Sequence, residues 1–234
     1  MNVEKKKLVV LSGAGISAES GINTFRDTDG LWEGHDVLEV ATPEGFKKNP
    51  VLVLDFYNQR RRHLVTAKPN IAHLLLAEME EFFEVSIVTQ NVDDLHERAG
   101  SSNILHLHGE LLKSRSSKNE NLVYDCKEDI LLGDLCEIGS QLRPHIVWFR
   151  EPVPLLATAA ELVAEADFVV VVGSSMQVYP AAALVGFAPI GAEIYLIDPK
   201  PTLNYELEHS HNLTIINEKA SVGMKILYEK LLKK

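Results

Sequence analysis

Cysteine is nearly absent from this chain: Cys126 and Cys136 are the only two. A pair cannot build a disulfide framework, and neither residue sits in a C-x-x-C pair. Cationic charge is scarce as well. Lys plus Arg number 23 against 33 Asp plus Glu, a formal charge of −10. Such a balance repels phosphate backbones and anionic membranes and argues against non-specific nucleic-acid binding, without excluding one local basic pocket. Long apolar runs are also missing. No stretch reaches the ~18 residues of a membrane span. Behind a basic start the apolar run extends only from Leu8 to Leu11, too short for a signal peptide. No internal repeat or low-complexity tract stands out. The expectation is a soluble, cytosolic chain without nucleic-acid or membrane partners. Its oligomeric state is not set by the sequence, and a monomer is compatible with it.

What is present is material for a core. Hydrophobic residues make up 46% of the 234, enough for one sizeable core and a small appended module. Short apolar, β-branched runs recur: "KLVVLSG" near 7–13, "EVSIVTQN" at 84–91, "NILHLHG" at 103–109, "HIVWF" at 145–149, "DFVVVVGSS" at 167–175, "EIYLID" at 193–198 and "LTIIN" at 213–217. Helix-period stretches lie between most of them, at 70–82, 155–166 and 221–233. Continuous rather than alternating apolar strands imply a sheet covered on both faces. Strands alternating with helices imply a parallel one. The expected fold is therefore α/β, a doubly wound parallel Rossmann-like sheet with a smaller inserted module. The sheet part takes about 1–21, 69–109 and 145–234; the module takes insertions at about 22–68, helical without a convincing strand, and 110–144, polar and irregular.

The first run leads into "GAGISAESG", where Gly13, Gly15 and Ala18 satisfy a GxGxx(G/A) spacing. Such a turn lets the backbone approach a pyrophosphate, and a following helix N-terminus adds free amides and a positive dipole end. Alone the pattern is weak, since many strand–helix turns carry such glycines. A dehydrogenase would next show a second strand ending in an acidic residue about 20 residues on. Here the chain continues "INTFRDTDGLW", which disfavours hydride transfer.

The blocks "GAGISAESGINTFRD", "TQNVDDLHERAG", "HLHG", "LRPHIVWF" and "GSSMQVYPAA" occur in the order and near the spacing of the sirtuins. The chain resembles these NAD-dependent protein deacylases over most of its length. The resemblance implies a single catalytic domain that consumes NAD as co-substrate and acts on acylated lysine side chains of proteins. In the chemistry it implies, the acyl oxygen attacks C1′ of the nicotinamide ribose, nicotinamide leaves, and a histidine acts as general base through the ribose hydroxyls. His108 of "HLHG" is the matching base, a residue type whose ordinary pKa suits that transfer. His106, two residues earlier, is expected to point to the opposite side. By spacing alone the pair could equally be a metal site or buried structural histidines.

Cofactor contacts carried over by resemblance fall on Gly13, Ala14, Gly15, Ser17, Glu19, Thr24, Phe25, Arg26 and Trp32. Gln90 is matched to the ribose, and Asn91 and Asp93 to the nicotinamide pocket, though both could also turn the chain and cap a helix. Gly173, Ser174 and Ser175 match a phosphate and ribose contact. Asp198 stands where the family usually carries Asn against the adenosine, and Ala220 matches a backbone contact to adenine. Val147 and Phe149, in "IVWF", resemble an edge that receives the substrate backbone by β-addition. There the family continues with Gly-Glu and this chain with Arg150 and Glu151, so a large cation stands at the peptide groove.

Many sirtuins hold a structural zinc with two C-x-x-C pairs. Here Ser116 and Asn119 stand near the first pair, and Cys136 has no partner two residues away. Hydroxyls and amides do not replace thiolates in such a site, so no metal is expected, and the thiols read as ordinary ones.

The last feature is a basic run, "DFYNQRRRHL", from Asp55 to Leu64. Tyr57 and Arg60 are three apart, on one face of a helix, in the Tyr-x-x-Arg pattern of sirtuins that remove succinyl and malonyl groups. A guanidinium binds a distal carboxylate bidentately, and a tyrosine hydroxyl donates beside it. Arg61 and Arg62 are expected to be solvated surface charges. Alternatives to a deacylase are a mono-ADP-ribosyltransferase and a catalytically silent NAD-sensing module.

Overall fold

The computed structural model describes residues 5–23, 31–32 and 34–232, and of Leu31 and Trp32 only the backbone. The chain begins with β1 (Lys7–Ser12), a hairpin of β2 (Leu31–Trp32) and β3 (His35–Asp36), and helices α1 (Val37–Val40), α2 (Pro43–Lys48), α3 (Pro50–Thr66) and α4 (Ile71–Met79). It continues with β4 (Glu84–Thr89), α5 (Leu95–Ala99), β5 (Ile104–His106), β6 (Gly109–Ser116), β7 (Val123–Asp125) and β8 (Leu142–Ile146). The remainder adds α6 (Leu156–Ala164), β9 (Phe168–Val172), β10 (Glu193–Ile197), α7 (Tyr205–Glu208), β11 (Leu213–Ile216) and α8 (Ala220–Leu232).

Six strands form one sheet in the order β11-β10-β9-β1-β4-β5, and every neighbouring pair is parallel. The apolar runs explain it. All five residues of β9, "FVVVV", are buried, as a strand covered on both faces requires. Strand side chains alternate between faces, and two cores result. Leu8, Val10, Ile87, Val170 and Tyr195 pack with Leu76 and Met79 of α4 and Met224 and Leu227 of α8. Val9, Leu11, Val88, Val171 and Leu196 pack on the other face with Ala159 and Val163 of α6. β1 is flanked by β4 on one side and β9 on the other, so strand order reverses there. The crevice outside the strands' C-terminal ends at such a reversal is where open α/β sheets bind ligands.

A third core joins the insertions. Val53, Phe56, Tyr57 and Leu64 of α3 pack with Val40, Leu111, Ile146 and Trp148. α3 starts where Asn49 accepts from the Leu52 amide at 3.1 Å, with Pro50 in the first turn, a capping arrangement worth about 1 kcal/mol.

The structure departs from the sequence expectations in five places. Residues 110–144 are not irregular throughout: β6, β7 and β8 make an antiparallel sheet in the order β7-β6-β8, while 117–122 and 126–141 lie outside its strands. The pattern was hidden because the buried residues of β6 include Ser114, Arg115 and Ser116, polar groups that carry no apolar alternation. The run at 145–149 ends as a strand at Ile146 and belongs to this small sheet, not the parallel one. The 22–68 region contains the short β2–β3 hairpin. After β1 come two three-residue 3₁₀ turns, Ala14–Ile16 and Ala18–Ser20, instead of an α-helix, so no long helix dipole faces the first glycine turn. Arg61 is fully buried. Its Nε donates to the Leu111 carbonyl at 3.0 Å and its Nη1 to Asn58 Oδ1 at 2.6 Å. Asn58 also bonds both backbone groups of Ile130, so the two side chains fasten α3 to the small sheet. Arg62 is exposed and ion-paired with Asp129.

Candidate active site

The turns that follow β1, β4 and β9 meet at one end of the sheet. Gly13 donates to the Val172 carbonyl at 3.1 Å and Gly15 to the Gly173 carbonyl at 2.8 Å. A Cβ on Gly15 would lie 2.7 Å from the Gly173 Cα, and one on Gly13 would lie 2.8 Å from the Gly173 oxygen. Gly173 itself has φ +62, a backbone that side chains rarely adopt. Glycine at these positions is thus what lets the two turns touch. A cavity of about 380 Å³ opens against them, within the size range of ligand pockets.

The loop after β4 forms the floor. Gln90 donates from its backbone to the Ser12 carbonyl at 2.9 Å and from its side chain to Ser174 Oγ at 3.2 Å. Behind it lies a buried polar cluster. Ser17 Oγ donates to Asp93 Oδ2 at 2.9 Å and accepts from Asn91 Nδ2 at 3.1 Å. His73 receives the Asn70 amide at Nδ1, so its hydrogen sits on Nε2, which faces Ser17 Oγ at 3.5 Å. Burial and the nearby Arg98 lower the His73 pKa to about 4, which keeps the ring neutral. Burial pushes the Asp93 carboxyl upward, against hydrogen bonds from the Leu95 amide and Ser17.

His108 completes the floor. Its Nδ1 lies 3.1 Å from the Gln90 carbonyl oxygen. A carbonyl only accepts, so Nδ1 carries the hydrogen and Nε2 is left with its lone pair. Burial lowers the pKa of this ring. The neighbouring His106 does not diverge from it as expected, because residues two apart on an extended chain share a face. β5 ends at His106, the chain turns, and the two rings reach consecutive carbonyls of one loop, Asn91 for His106 and Gln90 for His108.

On the opposite wall Tyr57 is fully buried, and its hydroxyl accepts from Trp148 Nε1 at 3.0 Å. Burial raises its pKa strongly. Trp148 is gripped on its other side: the Arg143 guanidinium stacks 3.3 Å over the ring and pairs with Glu151 at 2.7 Å. Glu151 also accepts the Trp148 amide at 2.8 Å. The Val147 amide bonds to the His108 carbonyl and the Phe149 amide to the Ala41 carbonyl. All three amides of 147–149 are therefore engaged, and the Trp148 carbonyl accepts the Glu151 amide at 3.0 Å. Arg150 follows with φ 73, left-handed backbone that favours glycine, and its guanidinium is 3.6 Å from Glu44.

Of the residues singled out in the sequence, Gly13, Ala14, Gly15, Gln90, Asn91, Asp93, His108, Tyr57, Val147, Phe149, Gly173, Ser174 and Ser175 line this cavity. Ser17 lies behind it. Glu19 instead receives the Ser221 amide and hydroxyl at 3.0 and 2.8 Å, at the start of α8. Ala220 is buried at that same start. Asp198 is buried at the end of β10 and accepts the Lys200 amide at 2.9 Å. Arg60 is not among the residues lining the cavity; it donates to the Phe56 carbonyl at 2.6 Å and stacks 3.2 Å over the Phe56 ring. Thr24, Phe25, Arg26 and the Trp32 side chain lie outside the described residues. The Arg143–Trp148–Glu151 unit was not anticipated, although Glu151 sits beside the flagged Arg150.

Residues 13–180 match the model of the Sir2 family. A Helicobacter pylori protein named NAD-dependent protein deacylase is 61% identical over 227 residues, covering 97% of this chain and 98% of that protein. The chain belongs to the Sir2 family. Among solved structures, a Sir2 homologue in complex with NAD superposes with a TM-score of 0.86 at 40% identity, covering 98% of this chain and 91% of the other. A mutant Sir2 homologue in complex with 2′-O-acetyl ADP-ribose gives 0.84 at 39% identity, covering 98% and 93%.

In this Sir2-family chain the glycine turns fit a pyrophosphate-binding cradle in one respect: Gly13 and Gly15 leave no room for a Cβ because each packs directly on the Gly173–Ser174 backbone, the close turn packing such a cradle uses. The positions matched to family zinc ligands do not fit a metal. Ser116 Oγ and Ser140 Oγ are 2.6 Å apart, and Cys136 Sγ is 3.1 Å from the same Ser140. That set holds one thiol, where a structural zinc needs four strong N or S donors. The two hydroxyls lower the Cys136 pKa to about 7, against its burial.

Proposed function

We propose that this chain removes acyl groups from protein lysines with NAD as a consumed co-substrate, and that its pocket favours succinyl and malonyl groups over acetyl. At the coarser level it is an NAD-dependent protein deacylase, the activity named for relatives that align over nearly its whole length. The observation that carries the finer reading is Tyr57 in the cavity wall with Arg60 three residues further along α3.

Bound NAD supplies an electrophilic ribose carbon and nicotinamide as its leaving group. The chain's own residues do the rest. Gly13, Ala14, Gly15 and Gly173 to Ser175 seat the phosphates and ribose against close backbone, while Gln90, Asn91 and Asp93 shape the nicotinamide end. Ser17 acts from behind by holding Asn91 and Asp93. Asp198 and Ala220 serve the adenosine end. Thr24, Phe25, Arg26 and Trp32 complete the cofactor side. Glu19 contributes through the α8 start that it caps. His108 takes a proton from a ribose hydroxyl at Nε2, helped by the Gln90 carbonyl that fixes its tautomer. Val147 and Phe149 receive the substrate backbone. The distal carboxylate of a succinyl or malonyl group draws the Arg60 guanidinium off Phe56 and pairs with it beside the Tyr57 hydroxyl. Leaving that carboxylate unpaired in an apolar pocket would cost several kcal/mol. With one water consumed to release the amine, the products are the free lysine, nicotinamide and 2′-O-acyl-ADP-ribose.

In this reading the small sheet is held without zinc, with hydrogen bonds among Ser116, Ser140 and Cys136 contributing. One zinc per chain in protein purified without chelators would contradict this. The test of the main reading is a panel of acetyl, malonyl, succinyl and glutaryl peptides incubated with NAD. Succinyl or malonyl peptide should exceed acetyl in kcat/KM by about tenfold or more, roughly 1.4 kcal/mol of transition-state binding. A preference for acetyl overturns the acyl assignment. Label transferred from NAD to protein with no deacylated peptide would mean ADP-ribosyl transfer.

A further inference from the structure

His106 is not among the residues lining the cavity, yet both its ring nitrogens are engaged. Nδ1 is 3.1 Å from the Asn91 carbonyl oxygen and Nε2 is 2.7 Å from Glu97 Oε1. A carbonyl has no hydrogen to give, and neither has an ionised carboxylate. A neutral imidazole carries one hydrogen and can satisfy only one of these partners. Only the doubly protonated ring donates to both.

We propose that His106 is held as an imidazolium by Glu97 and the Asn91 carbonyl, and that in this state it is a positioning residue for the NAD-binding loop Gln90–Asp93. The inference rests on the reading of that loop as the nicotinamide end of the site. The two histidines divide the work. His108 takes the Gln90 carbonyl and keeps a lone pair for chemistry. His106 takes the next carbonyl and braces it through Glu97 to α5, giving the loop a fixed backbone beneath Asn91 and Asp93. The charge also matters, because Asp93 is buried and nearby, and a cation at His106 favours its ionised form.

The groups facing His106 come from several elements. Glu97 on α5 and Glu110 on β6 favour its protonation, and with the Asn91 carbonyl they raise its pKa despite burial. His96, on α5, is buried and itself pushed well below its ordinary pKa by burial and by His73 and His106, so it adds no competing charge. A raised pKa means that the clamp is intact below the ordinary histidine value of about 6.5 and persists above it. It is lost as pH rises through the folded-state value, when one of the two bonds must go.

The direct test is nitrogen-15 NMR of the full chain labelled at histidine, followed from pH 6 to 9. His106 should still carry hydrogen on both ring nitrogens at pH 7.5, where an unperturbed histidine of pKa about 6.5 is mostly neutral. A single neutral tautomer at pH 7.5 overturns the proposal, whatever the enzyme's acyl preference. Glu97→Gln is the second arm, since it keeps a side chain of the same shape. It should lower the His106 titration and raise KM for NAD several-fold, with kcat changed about twofold or less, for acetyl and succinyl peptides alike. The KM effect should shrink at high pH, where the wild type has also lost its clamp. Equal losses in kcat and kcat/KM, or an unchanged KM, would overturn the positioning role. An effect confined to one acyl group would do the same.

Discussion

The Nδ1 of His108 sits 3.1 Å from the Gln90 carbonyl oxygen, so the ring is fixed with its hydrogen on that side and its lone pair on Nε2. Burial lowers the ring's pKa below the ordinary histidine value. A base must be neutral to accept a proton, so activity is retained as pH falls to 6.5 and is lost only as pH drops through the lowered pKa. The acid limb of kcat/KM against pH measures it, since that ratio reports groups of the free enzyme. His108→Ala should reduce kcat by about 10² to 10⁴, with NAD binding largely kept.

Arg150 occupies left-handed backbone at φ 73, and its ion pair with Glu44 is exposed at 60% and 63%. Such a pair contributes about 0–1 kcal/mol, less than the strain of a side chain in this conformation, about 1–2 kcal/mol. Arg150→Gly should therefore stabilise the fold by about 0.5–1 kcal/mol, a rise in Tm of roughly 2 °C. Arg150→Ala keeps the strain and should not. Calorimetry of the two variants separates strain from charge.

Three adjacent arginines carry three different burdens. Arg61→Ala removes donors from the Leu111 carbonyl and from Asn58 inside the core, and should cost about 3 kcal/mol. Arg62→Ala touches only a surface pair with Asp129 and should change stability by less than about 1 kcal/mol. Urea unfolding of both variants checks the contrast.

The parallel sheet was legible because strands such as Phe168–Val172 are apolar without interruption and bounded by small residues. The cavity lining was legible because the glycines, Gln90–Asp93 and His108 occupy short contiguous blocks. β6 was not, since Arg115 and Ser116 are buried with polar partners, Glu151 and Ser140, and hydropathy cannot show such partners. The same limit hid Arg61: its sequence neighbours are arginines, and its bonds to Asn58 and Leu111 form only when α3 meets the small sheet. Glu19 shows the converse. Its place in a cofactor block is clear in the sequence, while its contact with Ser221 spans 202 residues of chain.

The central claim is that Tyr57 and Arg60 select the acyl group, and one comparison tests it most directly: kcat/KM of Arg60→Met against wild type on succinyl and acetyl peptides of the same sequence. Arg60→Met should lose about 10²-fold or more on the succinyl peptide, with deacetylation within about threefold of wild type, because only the distal carboxylate loses its partner. Equal losses on both peptides, or none on either, would contradict it.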